Sequence, residues 1–211
     1  MADKDNETKL KIFGIAIALF KEKGFDSVTI RDICAASSIS KHTFYYYFAS
    51  KDELLLSFRA IPESLHADYL QNILAAENYF EQYMLLTTRM TDFFISMGPE
   101  ISKRIISLNV TCKTDSLEKI RHHRIKDVET DILRKAQTAG EIRNQSEVHA
   151  LVGVSFGLLF SAVFHWSMGG GAFDLPAFAR TAIENALDVR QDLRKGDNSI
   201  TWMHQEPSPT P

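Results

Sequence analysis

Cysteine is nearly missing from the 211 residues, with only Cys34 and Cys112 present. This excludes a disulfide framework and a cysteine-rich zinc site, and fits a reducing compartment. Proline is also scarce: of six, Pro207, Pro209 and Pro211 fall in the final stretch. Ten glycines are too few for a collagen-like or low-complexity chain. The opening MADKDNETKLK lacks the apolar run of a secretory signal, so an intracellular, cytoplasmic location is expected. Neither a Walker loop nor His-Glu-x-x-His occurs, and His122 and His123 are adjacent, so they point to different sides of a helix. No metal, cofactor or enzymatic chemistry is therefore expected. The glycine triplet at 169–171 follows a helical pattern instead of a strand and suits a hinge between helices better than a phosphate cradle.

What is present is a globular composition, 45% hydrophobic and 24% charged, with a net charge of −3. Between Lys9 and Lys51 there are seven Lys and Arg against three Asp and Glu, a surplus of four, so the rest of the chain carries −7. An anionic partner would meet the N-terminal segment.

That segment is densely punctuated. Leu10, Phe13, Ile17 and Phe20 recur at helical spacing, and Gly24 followed by Phe25 reads as a Schellman stop. Thr29 and Asp32 form a capping box, with Val28 and Ile33 spaced as a hydrophobic staple. Ser40 can cap the amide of His42 or Thr43 in a third helix that buries Phe44 and Phe48, and Ser50 with Glu53 opens a fourth. Two short helices behind a supporting one make a helix-turn-helix layout. With Phe44 and Phe48 inward, the third helix offers Lys41, His42, Thr43, Tyr45, Tyr46 and Tyr47, and no carboxylate occurs across 40–50. Such groups donate to phosphates and base edges without repelling the DNA backbone. Three consecutive helix positions cannot all face a core, so at most one of the tyrosines is packed.

The run TIRDICAASSISKHTFYYYFASKDELL, preceded by KLKIFGIAIALFKEKGFDSVT, resembles the DNA-binding domain of TetR-family transcriptional repressors over about Lys9 to Leu56. The resemblance implies phosphate contacts from Thr29 and Lys51, with Arg31 able to reach the groove. It implies base-edge contacts from Lys41, His42 and Tyr45, near the Ser40 start of the recognition helix, while Thr43, Tyr46 and Tyr47 lie toward the backbone. Two positions depart from the family pattern: Ser38 stands where the turn usually has Gly, and His42 where a small residue is common.

The expected fold is all-α: a three-helix helix-turn-helix domain at 1–54, a larger helical domain at 55–194, and a disordered tail at 195–211. Helices are predicted over 78–97, 100–109, 117–139 and 146–168, with a last one starting at Asp174; Pro62 is expected to end or kink the fourth. The apolar density of 79–97 and the family's ligand cavity together suggest a small hydrophobic or aromatic effector touching Phe80, Tyr83, Met84, Thr87, Met90, Phe94, Cys112 and His122. Residues 150–168 contain no charged side chain, which meets the length of a membrane span. Polar residues within the stretch, polar neighbours and missing Lys/Arg anchors favour instead a helix buried on two sides, without membrane. A homodimer interface at Gly153, Gly157, Phe160, Phe164, Phe178, Ile183 and Leu187 follows from that reading and from the resemblance. The function expected is a dimeric, ligand-responsive repressor on a palindromic double-stranded operator. The alternatives are a membrane-associated helical protein spanning 148–173 and a DNA-binding protein without effector.

Overall fold

The computed structural model describes residues 2–57, 67–111 and 123–196. The chain divides into two compact units, Met1–Leu65 with Glu100–Arg121, and His66–Pro99 with His122–Pro211. Among the described residues the fold is helical, with one isolated antiparallel bridge between Ile142 and Val189.

The first unit holds α1 (Ala2–Lys23), α2 (Ile30–Ser37), α3 (Lys41–Tyr47), α4 (Lys51–Leu56) and nearly all of α7 (Pro99–Thr111). α1 stops as its sequence requires: Gly24 takes φ 81, its N–H donates to the Phe20 carbonyl at 2.9 Å, and the Phe25 ring packs 4.8 Å from Phe20. Ile12, Phe13, Ala16, Ile17 and Phe20 line its buried face, while Leu10, expected there, lies toward solvent. The helical stripe has shifted onto Ile12 and Ala16, which shorter-range periodicity from Leu10 does not reveal. Thr29 caps α2 with the full reciprocal box, and Val28 and Ile33 are both buried. Ser38 closes α2 in the left-handed region at φ 56, ψ 42, its N–H reaching back to Ala35. A turn that favours glycine is thus made by serine, at a conformational cost.

The boundary expected at 54/55 is not where the contacts divide, because residues 100–121 cluster with the N-terminal segment. Arg104 on α7 donates to Asp52 at the start of α4 (2.9 Å) and lies 5.0 Å from the centre of the Phe25 ring. A helix distant in sequence thereby completes the small unit, and hydrophobic periodicity alone does not reveal it.

The second unit comprises α5 (Ala67–Leu74), α6 (Tyr79–Met97), α8 (His123–Thr138), α9 (Val148–Met168) and α10 (Leu175–Ala186). α6 packs on α8, α9 and α10. Each break in the chain carries its own stop or start: Asn78 caps α6, Gly98 ends it at φ 80, Gly140 follows α8 at φ 69, and Asp174 caps α10 with Pro176 in its first turn. Glu184, fully enclosed on α10, accepts the Arg180 Nε–H and the backbone N–H groups of Lys195 and Gly196, each at 2.9 Å. Residues 195 and 196 are therefore tied down, contrary to a tail disordered from 195; the reason is a buried carboxylate that needs donors. The remainder of that tail, together with Pro62, Cys112 and His122, lies outside the described residues.

Candidate nucleic-acid interface

The helix expected to read DNA is α3, and its seven residues are fixed at both ends. The Thr43 N–H donates to Ser40 Oγ at 3.0 Å, and the two hydroxyls lie 2.8 Å apart. Phe44 and Phe48 are buried with their rings 5.7 Å apart. At the next helix the Ser50 Oγ accepts from the Glu53 N–H, while Glu53 reaches back to the Ala49 N–H. Lys41, His42, Tyr45 and Tyr46 are left exposed, Tyr46 most of all at 71%. This face carries donors and aromatic surface and no acidic side chain, as a surface that meets phosphate requires.

Tyr47 is the one tyrosine drawn back onto the protein. It is half-buried, and its hydroxyl donates to Asp5 Oδ1 on α1 at 3.1 Å. Burial first, then the bond to Asp5, pushes the phenol above its ordinary value of 10.0. The hydroxyl thereby braces α3 against the first turns of α1. Lys9 lies 5.6 Å over the Phe48 ring and adds a second contact of the same kind.

Two further residues are committed differently from the expectation. Thr29 Oγ1 donates to Asp32 Oδ2 at 2.6 Å and accepts from the Asp32 N–H at 3.2 Å, so the hydroxyl already serves the cap. The Thr29 hydrogen bonds hold the Asp32 carboxyl below its ordinary value of 3.8. Lys51 is half-buried, with its ammonium donating to the Phe25 carbonyl at 2.8 Å and the Val28 carbonyl at 2.5 Å, 4.6 Å from the Phe25 ring centre. It is turned inward because the turn between α1 and α2 leaves carbonyls without helical partners, and a cation satisfies two of them at once. Arg31 remains exposed on α2. Periodicity misses Asp5, Phe25 and Arg104 as supports of this face, because each acts across elements distant in sequence.

In the second unit, Phe80, Tyr83, Met84, Thr87 and Phe94 share the buried face of α6, and Met90 is half-buried beside it. The Thr87 hydroxyl donates to the Met84 carbonyl at 2.9 Å, so it is satisfied within its own helix. Burial pushes the Tyr83 phenol well above its ordinary range, and the nearby Ser155 hydroxyl on α9 offsets part of that, although the two do not close a hydrogen bond of good geometry. Residues 153–157 spell Gly-x-Ser-x-Gly, the spacing of a hydrolase nucleophile turn. Here the spacing lies inside α9, and Ser155 is fully buried, so the serine is a packed helix residue instead of a nucleophile.

Val148–Met168 is long and apolar enough to cross a membrane by length and composition. One side of it, including Leu151, Val152, Leu159, Ala162, Val163 and Trp166, is buried within the unit against α6, α8 and α10. The opposite side exposes Val154, Phe156, Gly157, Phe164 and Met168, with Gly153 and Phe160 partly covered. Phe178 is half-buried with its ring 5.3 Å from Phe173. Ile183 and Leu187, expected at a subunit interface, are fully buried inside their own unit. Ile183 continues the 175/179/183 stripe of α10 and Leu187 follows as the helix's C-cap, and together they close the core.

The profile of bacterial regulatory proteins of the tetR family matches residues 12–58. An uncharacterised helix-turn-helix regulator from Bacillus subtilis, YerO, is 48% identical over 52 residues, 25% of this chain and 18% of that protein. The IcaR negative transcriptional regulator of the icaADBC biofilm operon from Staphylococcus epidermidis is 26% identical over 126 residues, 59% of this chain and 64% of that one. The chain thus spans less than two thirds of the length of these curated relatives. In fold, it is similar to the TetR-family repressor FadR from Thermus thermophilus, solved with lauroyl-CoA, at a TM-score of 0.65 and 16% identity, covering 96% of this chain and 98% of that one. All three are transcriptional regulators by name.

Proposed function

We propose that this chain, whose residues 12–58 match the profile of the tetR family of bacterial regulatory proteins, acts as a cytoplasmic, homodimeric repressor that leaves a palindromic operator when a small, largely apolar ligand binds its helical body. The observation that carries the reading is α3, a helix pinned by buried Phe44 and Phe48 that presents Lys41, His42, Tyr45 and Tyr46 to solvent with no carboxylate among them. Lys41, His42 and Tyr45 read base edges, and Tyr46 and Arg31 lie along the phosphates. Thr29, Ser40, Thr43, Tyr47 and Lys51 hold the geometry.

A single unit of this size reads one half-site, so two must stand about one DNA turn (~34 Å) apart or a near multiple of it. The exposed side of α9, built from Gly153, Gly157, Phe160 and Phe164, supports pairing with a second copy, with Phe178 beside it. Its charge-free, ring-bearing surface would be costly to leave in water. The apolar inner face of α6 and the acyl-CoA bound in the FadR structure favour a hydrophobic effector. DNA and effector then oppose one another by linkage, and a tenfold loss of operator affinity needs only about 1.4 kcal/mol of coupling.

The test is a titration of the purified protein on a duplex carrying the region upstream of its own gene, at two salt concentrations and against random competitor. Competitor-resistant binding with a steep salt slope supports the reading. His42→Ala is expected to change sequence preference, whereas Arg31→Ala weakens specific and random DNA alike. Binding indifferent to every apolar compound would leave a constitutive DNA-binding protein, and recovery from cells only with detergent would favour the membrane reading of α9.

A further inference from the structure

Three elements of the first unit meet on the Phe25 ring. The turn between α1 and α2 supplies the ring itself. The start of α4 supplies Lys51, whose ammonium lies 4.6 Å from the ring centre and holds the carbonyls of Phe25 and Val28. α7 supplies Arg104, whose guanidinium lies 5.0 Å from the same ring centre and donates to Asp52 at 2.9 Å. Arg104 donates to Asp52 through Nη2, and among the described residues its buried Nε meets no acceptor, so ring contact and ion pair together fix its position.

The consequences run to the recognition helix by connectivity. The clamped turn ends at Thr29, the cap of α2, and the clamped start of α4 follows α3 after only residues 48–50. The α2–α3 pair is therefore held at both its ends by one cluster. The matched family domain ends at residue 58, yet this cluster draws on a residue more than forty positions later.

We propose that Arg104 is a positioning residue for DNA docking, which sets the angle at which α3 is presented by locking the α1–α2 turn and the start of α4 to α7. The inference rests on the DNA-binding reading above. Arg104 touches no DNA in this scheme; it acts through Asp52 and through the ring that Lys51 shares. A misplaced recognition helix loses aligned base contacts while its charges still attract any duplex, so the loss must fall on specific binding.

The experiment uses the full chain. A duplex is selected by the intact protein from a random library, and affinities are measured for it and for a scrambled duplex of equal length. Arg104→Ala is expected to weaken the selected duplex about tenfold while changing the scrambled duplex less than about twofold. Arg104→Lys, which can still pair with Asp52, recovers part of the loss. Asp52→Asn weakens binding in the same direction, and the double variant Asp52→Asn/Arg104→Ala is no worse than the worse single one, since both break one linkage. Equal losses on the two duplexes, or affinities for the selected duplex at the level of the intact protein, overturn the proposal. If Arg104→Ala loses its helical signal, Arg104→Lys and Asp52→Asn decide the matter by the same ratio of affinities. Failure of the intact protein to enrich any sequence would instead defeat the DNA-binding reading itself, and this inference with it.

Discussion

Helices α3 and α9 are held in opposite ways. α3 is seven residues long and is defined by its neighbours in sequence: Ser40 caps it, Phe44 and Phe48 anchor it, and Ser50 starts the next helix immediately beyond. α9 is twenty-one residues long, capped through Glu147, and its middle offers no charge to say which side faces what. A short amphipathic helix announces its buried face by spacing, whereas a uniformly apolar one acquires its faces only from what packs against it. The exposed tyrosines of α3 and the exposed rings of α9 therefore carry different meaning: the first are polar-tipped groups suited to phosphate, the second purely apolar surface suited to another protein surface.

The contrast is broken most severely by Phe44→Ala. Removing a fully buried ring is expected to cost about 3–5 kcal/mol. Denaturant unfolding should show an early transition of the first unit with the helical signal of the second retained; one unchanged cooperative transition would show that α3 is not locally anchored. Next in size is Phe156→Glu combined with Phe164→Glu on the exposed side of α9. Sedimentation is expected to show half the mass of the unsubstituted protein with helicity intact, while an unfolded monomer would mean that these rings belong to a core.

A smaller effect separates the two kinds of cap. Thr29→Ala is expected to cost about 1 kcal/mol at neutral pH, read as a lowered midpoint in thermal melts. The Asp32 carboxyl is lowered from 3.8 by its Thr29 hydrogen bonds, so the stability it lends is complete above that value and fades as pH falls below it. The corresponding carboxyl of α9, Glu147, is pulled down to about 2 chiefly by its hydrogen bond to His149, so the stability it lends is complete above 4.5 and is lost as pH falls toward 2. Melts of Thr29→Ala and Glu147→Gln from pH 7 to pH 2 check both: each penalty should be full at neutral pH and shrink in acid, beginning near 3.8 for the first and near 4.5 for the second. The smallest change is a gain. Ser38→Gly relieves a left-handed residue at φ 56 and is expected to stabilise by about 1 kcal/mol, raising the thermal midpoint by a few degrees. No gain would mean that Ser38 repays its conformation through a contact of its own.

Much of the first unit was legible because its information is local. Thr29 and Asp32, Ser40 and Thr43, Gly24 and Phe25 lie within a few residues of one another, and each pair does in the structure what its spacing implies. The carbonyls that hold Lys51 were not legible, because a lysine at an exposed-looking helix start gives no sign of distant backbone groups that attract it. Ile183 and Leu187 were misplaced for the converse reason: the apolar stripe of α10 was visible, but a stripe does not say whether it faces its own core or another subunit. On α6 the buried stripe was also visible, and it satisfies Thr87 internally.

The sequence by itself determined an all-helical fold, the limits of its short N-terminal helices, and an α3 face without carboxylates. Those follow from caps, periodicity and residue chemistry, which act over one or two turns. Only the tertiary structure decided that Tyr47 is tied to Asp5 while Tyr45 and Tyr46 stay exposed, that Glu184 secures residues 195 and 196, and that α7 completes the small unit through Arg104. Each of these pairings joins residues more than two helical turns apart in the chain, and no local pattern specifies which partner a polar group finds.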